Sequence, residues 1–137
     1  MTSRILTPKT LAMNVKIDTK EKFTVIVPQL PHLTANMTEE LGNMLLTYMQ
    51  KDIPHIVLNM SLVNSLEARC FETIAAMQQK FYENNCSFVI CAVQTPVEEV
   101  LDKEELLELL NVTPTESEAW DILQMEEVER ELLGGDE

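Results

Sequence analysis

The chain has 137 residues, of which 45% are hydrophobic and 24% are charged, as in a globular protein of one domain. The net charge of −13 is concentrated, because residues 97–137 contain fifteen acidic and two basic side chains while residues 1–96 are balanced. Binding to nucleic acid or to an anionic membrane needs clustered Lys and Arg, so the charge distribution opposes both. The acidic third is interpreted as a solvated helical face, with attraction of a basic partner surface as the alternative.

The first elements are predicted to be a hairpin followed by a helix. Met13, Val15 and Ile17 alternate with polar residues, which is typical of a half-buried strand, and residues 23–28 are rich in β-branched side chains. A helix is predicted over residues 34–50. Its apolar face consists of Met37, Leu41, Met44, Leu45 and Tyr48.

The centre of the chain is a strand, a turn and a helix. Residues 56–60 are apolar apart from Asn59, which predicts a strand covered on both faces. The following helix is predicted to open over residues 67–70, with Ser65 as its N-cap. It continues at helical spacing through Phe71, Ile74, Met77 and Phe81.

This central segment resembles the STAS family, the domain of anti-sigma factor antagonists. In that family the strand ends in an acidic residue, and Asp-Ser-Ser-Gly follows eight residues later. The first Ser is phosphorylated by a partner kinase that is also the anti-sigma factor. Counted from Asn59, the motif falls on Glu67, Ala68, Arg69 and Cys70. Alanine has no hydroxyl group, so the resemblance implies the fold and a protein-binding role without a phosphoswitch at Ala68.

The last third is predicted to contain one more strand and several helices. A strand over residues 88–93 precedes a helix with Thr95 as N-cap, and a second helix is predicted to restart at residues 102–105. Its apolar residues are Leu106, Leu109 and Leu110. A capping box at residues 115–118 begins an acidic helix over residues 115–133. Its apolar stripe, formed by Met125, Val128 and Leu132, is expected to pack on the core, with a dimer or partner contact as the alternative.

Strands that alternate with helices after a hairpin predict an α/β sandwich with a mixed sheet. The resemblance specifies the STAS topology, with about four helices packed against the sheet in a single domain over residues 1–137. Residues 1–10 are expected to be flexible, and residues 134–137 to form a tail. No apolar run has the length of a signal peptide or a membrane span, and three cysteines make no disulfide framework, so a cytoplasmic protein is expected.

Most catalytic constellations are missing from the sequence. His32 and His55 have no Ser-His-acid or Cys-His pattern around them, and three glycines cannot build a loop that cradles phosphates. We therefore predict a protein that is not an enzyme and that needs neither a cofactor nor a metal.

The resemblance implies a partner-binding surface. Its residues are Asn59, Ser61, Asn64, Glu67, Ala68, Arg69 and Cys70. The expected partner is an anti-sigma factor and serine kinase of the histidine-kinase-like ATPase type, and a homodimer stays open. Ser65 is expected to cap the helix rather than accept phosphate.

Two alternatives accompany this hypothesis. Some STAS proteins are cytoplasmic subunits of ATP-driven lipid transport complexes, which need no phosphoserine. A protein of another class would be a thiol enzyme or redox sensor, because a cysteine such as Cys70 in the first turn of a helix feels the positive end of the helix dipole.

Overall fold

The structure is a computed structural model that describes residues 14–134. The expected flexible segment 1–10, Met13 and the end of the tail lie outside the described residues. The elements in chain order are β1 (Val15–Thr19), β2 (Thr24–Pro28), β3 (His32–Leu33), α1 (Ala35–Tyr48), β4 (Ile56–Asn59), β5 (Ser65–Leu66), α2 (Cys70–Glu83), β6 (Phe88–Cys91), α3 (Thr95–Lys103) and α4 (Glu116–Gly134).

The main sheet is mixed and has the strand order β1-β2-β4-β6. β1 and β2 form the predicted antiparallel hairpin, whereas β2, β4 and β6 run parallel to one another. A second sheet pairs the two-residue strands β3 and β5 in parallel. The predicted α/β sandwich with a mixed sheet and four helices is therefore confirmed for the described residues.

Both faces of β2, β4 and β6 are buried, which explains why these strands are continuously apolar. On one face Ile26, Leu58 and Ile90 join the core that α1 and α2 complete. On the other face Val57 and Val89 pack with Leu123 of α4. Successive strand residues point to opposite faces, so a strand between two helical layers needs apolar side chains at every position.

Two predicted helix caps are wrong. Ser65 lies in β5, where its hydroxyl group contacts His32, and α2 begins only at Cys70, after Arg69. Thr95 is already the first residue of α3, so its N-cap is Gln94. The Ser65 hydroxyl group is instead engaged by the side chain of His32, and the side chain of the α3 N-cap residue, Gln94, donates to the carbonyl oxygen of Ser61.

The predicted helix over residues 102–110 is also wrong. α3 ends at Lys103, and the chain then continues in turns in which Glu105 and Asn111 have positive φ angles of 61° and 54°. Left-handed residues end a right-handed helix. The turns place Leu110 in the core, where it is fully buried.

The predicted N-cap of α4, Thr115, is confirmed, and the Glu118 side chain reaches back to the Thr115 hydroxyl group. The backbone N–H of Glu118 donates to Oγ1 of Thr115 at 3.1 Å, and the Thr115 hydroxyl group contacts the Glu118 carboxylate at the same distance. The expectation that the apolar stripe of α4 packs on the core is wrong: Met125, Val128 and Leu132 are 59%, 52% and 69% exposed. Within residues 14–134, no helix combines the length and apolarity needed to span a membrane.

Candidate functional site

The candidate site is the segment from Asn59 to Cys70, which leaves the central strand of the sheet and enters α2 through β5. Residues 61 and 62 lie in a first turn, and residues 68 and 69 lie in a second. The exposed side chains of the segment are Ser61, Leu62, Asn64, Ser65, Glu67, Ala68 and Arg69. Four of the residues predicted for partner binding thus lie on one continuous stretch of surface: Ser61, Asn64, Ala68 and Arg69. Their side chains make no hydrogen bond to another element of residues 14–134.

Asn59 occupies the strand end at which the family has an acidic residue. Its Oδ1 accepts the backbone N–H of Ser61 at 2.9 Å, which fixes the first turn. Its Nδ2 donates to Oε2 of Glu116, the first residue of α4, at 2.8 Å. Asn59 is half-buried and works mainly as a structural connection between the strand, the turn and the last helix.

Backbone hydrogen bonds hold the segment on the neighbouring loop. The N–H groups of Asn64 and Ser65 both donate to the carbonyl oxygen of Pro31, at 2.7 and 3.1 Å. On the other side, Nε2 of Gln94 donates to the carbonyl oxygen of Ser61 at 2.7 Å. The turns are therefore fixed in place from both flanks.

Glu67 stabilises the start of α1 rather than α2. Its Oε1 accepts the N–H of Ala35 at 2.7 Å, and Thr34 accepts the N–H of Met37 at 3.2 Å. A carboxylate at a helix N-terminus satisfies an otherwise unpaired donor and interacts favourably with the helix dipole. Glu67 is exposed, yet its side chain already has a partner within the domain.

Ala68 and Arg69 form the turn that precedes α2. The N–H of Cys70 donates to the carbonyl oxygen of Glu67 at 2.9 Å, and the N–H of Phe71 donates to that of Ala68 at 3.2 Å. Both side chains project into solvent, and no side chain caps the helix that follows. An approaching surface thus meets a methyl group beside a guanidinium group at the helix entrance.

Cys70 lies beneath this surface. Its side chain is fully buried, Oγ1 of Thr38 donates to its Sγ at 3.0 Å, and its Sγ lies 3.5 Å from the carbonyl oxygen of Leu33. Burial raises the pKa of the Cys70 thiol. A thiol that is buried and protonated is a poor nucleophile, so the structure argues against a thiol enzyme or redox sensor built on this residue.

Leu62 adds an exposed apolar side chain to the site, although the family motif does not point to it. It is 48% exposed in the first turn, while the next residue, Val63, is fully buried. The sequence does contain a signal for Leu62, namely the apolar pair Leu62-Val63 in an otherwise polar turn. Only one of two neighbouring side chains can reach the core, so the other is exposed. His32 borders the site as well, since its Nδ1 lies 2.6 Å from Oγ of Ser65.

The described geometry is that of a small α/β domain built around an exposed strand-turn-helix segment. The family model for the STAS domain matches residues 14–119. The chain belongs to the STAS domain family. No curated protein matches it at the level of sequence.

Solved structures show the same fold. A candidate anti-sigma factor antagonist from Thermotoga maritima has a TM-score of 0.72 and 17% identity, over 80% of this chain and 94% of that chain. An anti-sigma-factor antagonist (STAS) domain protein from Planctomyces limnophilus has a TM-score of 0.67 and 20% identity, over 80% and 97%. An anti-sigma factor antagonist from Mycobacterium paratuberculosis has a TM-score of 0.69 and 14% identity, over 82% and 95%.

Proposed function

We propose that this STAS protein is a regulatory, non-enzymatic binding module in the cytoplasm whose partner is an anti-sigma factor of the histidine-kinase-like ATPase type. The observation that carries the proposal is the exposed turn of Ala68 and Arg69, held in place at the position of the family's phosphorylation motif. Leu62 supplies apolar contact area beside it. Asn59 and Glu67 fix the shape of this surface, and Cys70 supports it from below.

The proposed module is not switched by phosphorylation at Ala68. In the family the phosphate adds about 1.5 to 2 negative charges beside the helix entrance. The Ala68 side chain has no oxygen to accept a phosphoryl group. No phosphate therefore forms beside Arg69 to neutralise its positive charge. The partner is therefore bound constitutively.

The proposal is tested by comparing two Ala→Arg variants. Ala68→Arg places a bulky charge at the centre of the proposed surface. Ala76→Arg places the same side chain on an exposed position in the middle of α2, about 9 Å along the helix axis from its first residue, Cys70. Position 68 is an exposed turn residue, and position 76 is an exposed helical residue at which Arg has good helix propensity, so both variants should fold.

Partners are captured from native lysate with the wild-type protein and both variants, and they are identified by mass spectrometry. A histidine-kinase-like ATPase that is captured by the wild type and Ala76→Arg, and is lost from Ala68→Arg, is the expected result. Capture of membrane transporter subunits in its place would support the alternative that the protein is a subunit of a lipid transport complex. Retention of the same partner by Ala68→Arg would show that the interface lies outside this segment.

The absence of a switch is tested on the captured partner with Mg²⁺ and ATP. Intact mass measurement should show no phosphate on the wild-type protein, because Ala68 cannot accept one. Phosphate on the wild-type protein would contradict the proposal, and mapping to Ser65 would identify that serine as the acceptor. An Ala68→Ser variant is the positive control for kinase activity.

A further inference from the structure

The outer face of α4 carries an apolar stripe that no other element of residues 14–134 covers. Met125, Val128 and Leu132 are spaced by three and four residues, so they lie on one side of the helix. The opposite side packs on the sheet through Ala119 and Leu123, which are buried. The stripe therefore faces away from the core.

Acidic side chains surround the stripe. Glu118, Asp121, Glu129 and Glu131 are all exposed on α4. Asp121 and Glu129 line a shallow groove together with Met125 and Val128. The outer face thus combines exposed apolar surface with negative charge on its rim.

No cation of α4 neutralises this face. The single basic residue of the helix is Arg130, which is half-buried and donates to Oγ of Ser87 at 3.2 Å. Two copies of α4 packed through their stripes would bring carboxylates such as Asp121 and Glu129 together without a Lys or Arg between them. Like charges across an interface oppose association, so a second copy of the chain does not fit the face.

We propose that the outer face of α4 docks a cationic amphipathic helix of another protein. Apolar side chains of that helix would pack on Met125, Val128 and Leu132, while its Lys or Arg residues would pair with the acidic rim. The stripe lies beyond residues 14–119, which the family model matches, and its proposed role is independent of the function proposed for the segment 59–70.

The probe is an 18-residue peptide of Leu and Lys, about five helical turns long, with Leu placed on one helical face. Two further peptides are the controls: one has Glu in place of Lys, and the other has the same composition in an order without helical periodicity. Affinity for the full chain is measured by fluorescence anisotropy of labelled peptides. The amphipathic Leu/Lys peptide is expected to bind, and both control peptides to bind far more weakly.

Variants locate the binding surface. The double substitution Met125→Gln and Val128→Gln removes apolar area without adding charge, and it should weaken peptide binding by about tenfold or more. Leu62→Gln, which removes an exposed apolar side chain from the segment 59–70, should leave peptide binding unchanged. Asp121→Asn with Glu129→Gln should weaken binding and reduce its dependence on salt.

Several results would overturn the proposal. Equal affinity for the aperiodic peptide would show attraction by charge alone, and unchanged affinity in the Met125→Gln, Val128→Gln variant would place binding elsewhere. Sedimentation of the wild type as a dimer that this variant dissociates would identify a second copy as the occupant. Circular dichroism confirms that each variant is folded.

Discussion

Asn59→Asp, which restores the acidic residue usual in the family, is predicted to destabilise this protein. In the wild type, Nδ2 of Asn59 donates to the Glu116 carboxylate at 2.8 Å. The substitution keeps the oxygen that accepts the Ser61 N–H, but it replaces the donor to Glu116 by a second carboxylate. The effect should therefore come from the contact with α4 and not from the turn.

The magnitude follows from two contributions. A hydrogen bond to a charged group contributes about 1.5 to 3 kcal/mol to stability. Two like charges about 4 Å apart repel by about 1 kcal/mol in water and about 4 kcal/mol near a protein surface. Because Asn59 and Glu116 are both half-buried and two carboxylates can rotate apart, we expect a total loss of about 2 to 3 kcal/mol.

Urea unfolding followed by Trp120 fluorescence measures this loss. Trp120 is the single tryptophan of the chain and stacks on Phe23, with ring centroids 5.2 Å apart, so its emission should change when α4 leaves the sheet. Glu116→Gln is the matched background, since its amide group can donate to the carboxylate of Asp at position 59. Asn59→Asp should lower the free energy of unfolding much less in the Glu116→Gln background than in the wild type. The reasoning is refuted if the loss is the same in both backgrounds, or if Asn59→Asp is as stable as the wild type.

Three further predictions concern single side chains. Cys70 should react with an alkylating reagent much more slowly in the folded protein than in urea, as peptide mass mapping can show, and fast labelling of the native protein would contradict its burial. Thr115→Ala should lower the free energy of unfolding by about 1 kcal/mol through loss of the α4 cap, whereas Thr115→Ser should retain most of it. Burial and the Arg130 guanidinium lower the pKa of His55, against the opposing effect of Glu127. The folded state thus binds a proton at His55 less readily than the unfolded state does. The contribution of neutral His55 to the free energy of unfolding should therefore be fully present above the ordinary histidine pKa of about 6.5, and it should be lost as the pH falls below that value. Urea titrations should show a smaller loss in His55→Gln than in the wild type or in His32→Gln, and equal loss in all three would exclude His55 as the cause.

The main sheet could be predicted from sequence because its pattern is local. Continuous apolar runs mark β4 and β6, since both faces of each strand are buried. β3 and β5 could not be predicted, because two residues carry no periodicity and their pairing joins His32 to Ser65 across 33 positions. The same long-range contact explains the wrong prediction of the α2 cap.

The sequence predicts where the candidate site lies along the chain, but not which contacts its side chains make. Counting from Asn59 locates the turn of Ala68 and Arg69, which is exposed as a binding surface requires. Sequence spacing does not reveal that Glu67 contacts the N-terminus of α1 or that Cys70 is buried against Thr38. These contacts depend on how α1 and α2 pack together, which no pattern within a single element contains.

The hydrogen bonds that the Pro31 carbonyl group and the Gln94 side chain make to the segment 59–70 also bear on the kinetics of association. Because the unbound protein already forms them, this part of the surface should hold the same shape before and after it meets a partner. Little conformational entropy is then lost on binding, and no slow rearrangement limits the approach. Differences in affinity among apolar variants of Leu62 should accordingly appear in the rate of dissociation, while the rate of association changes little.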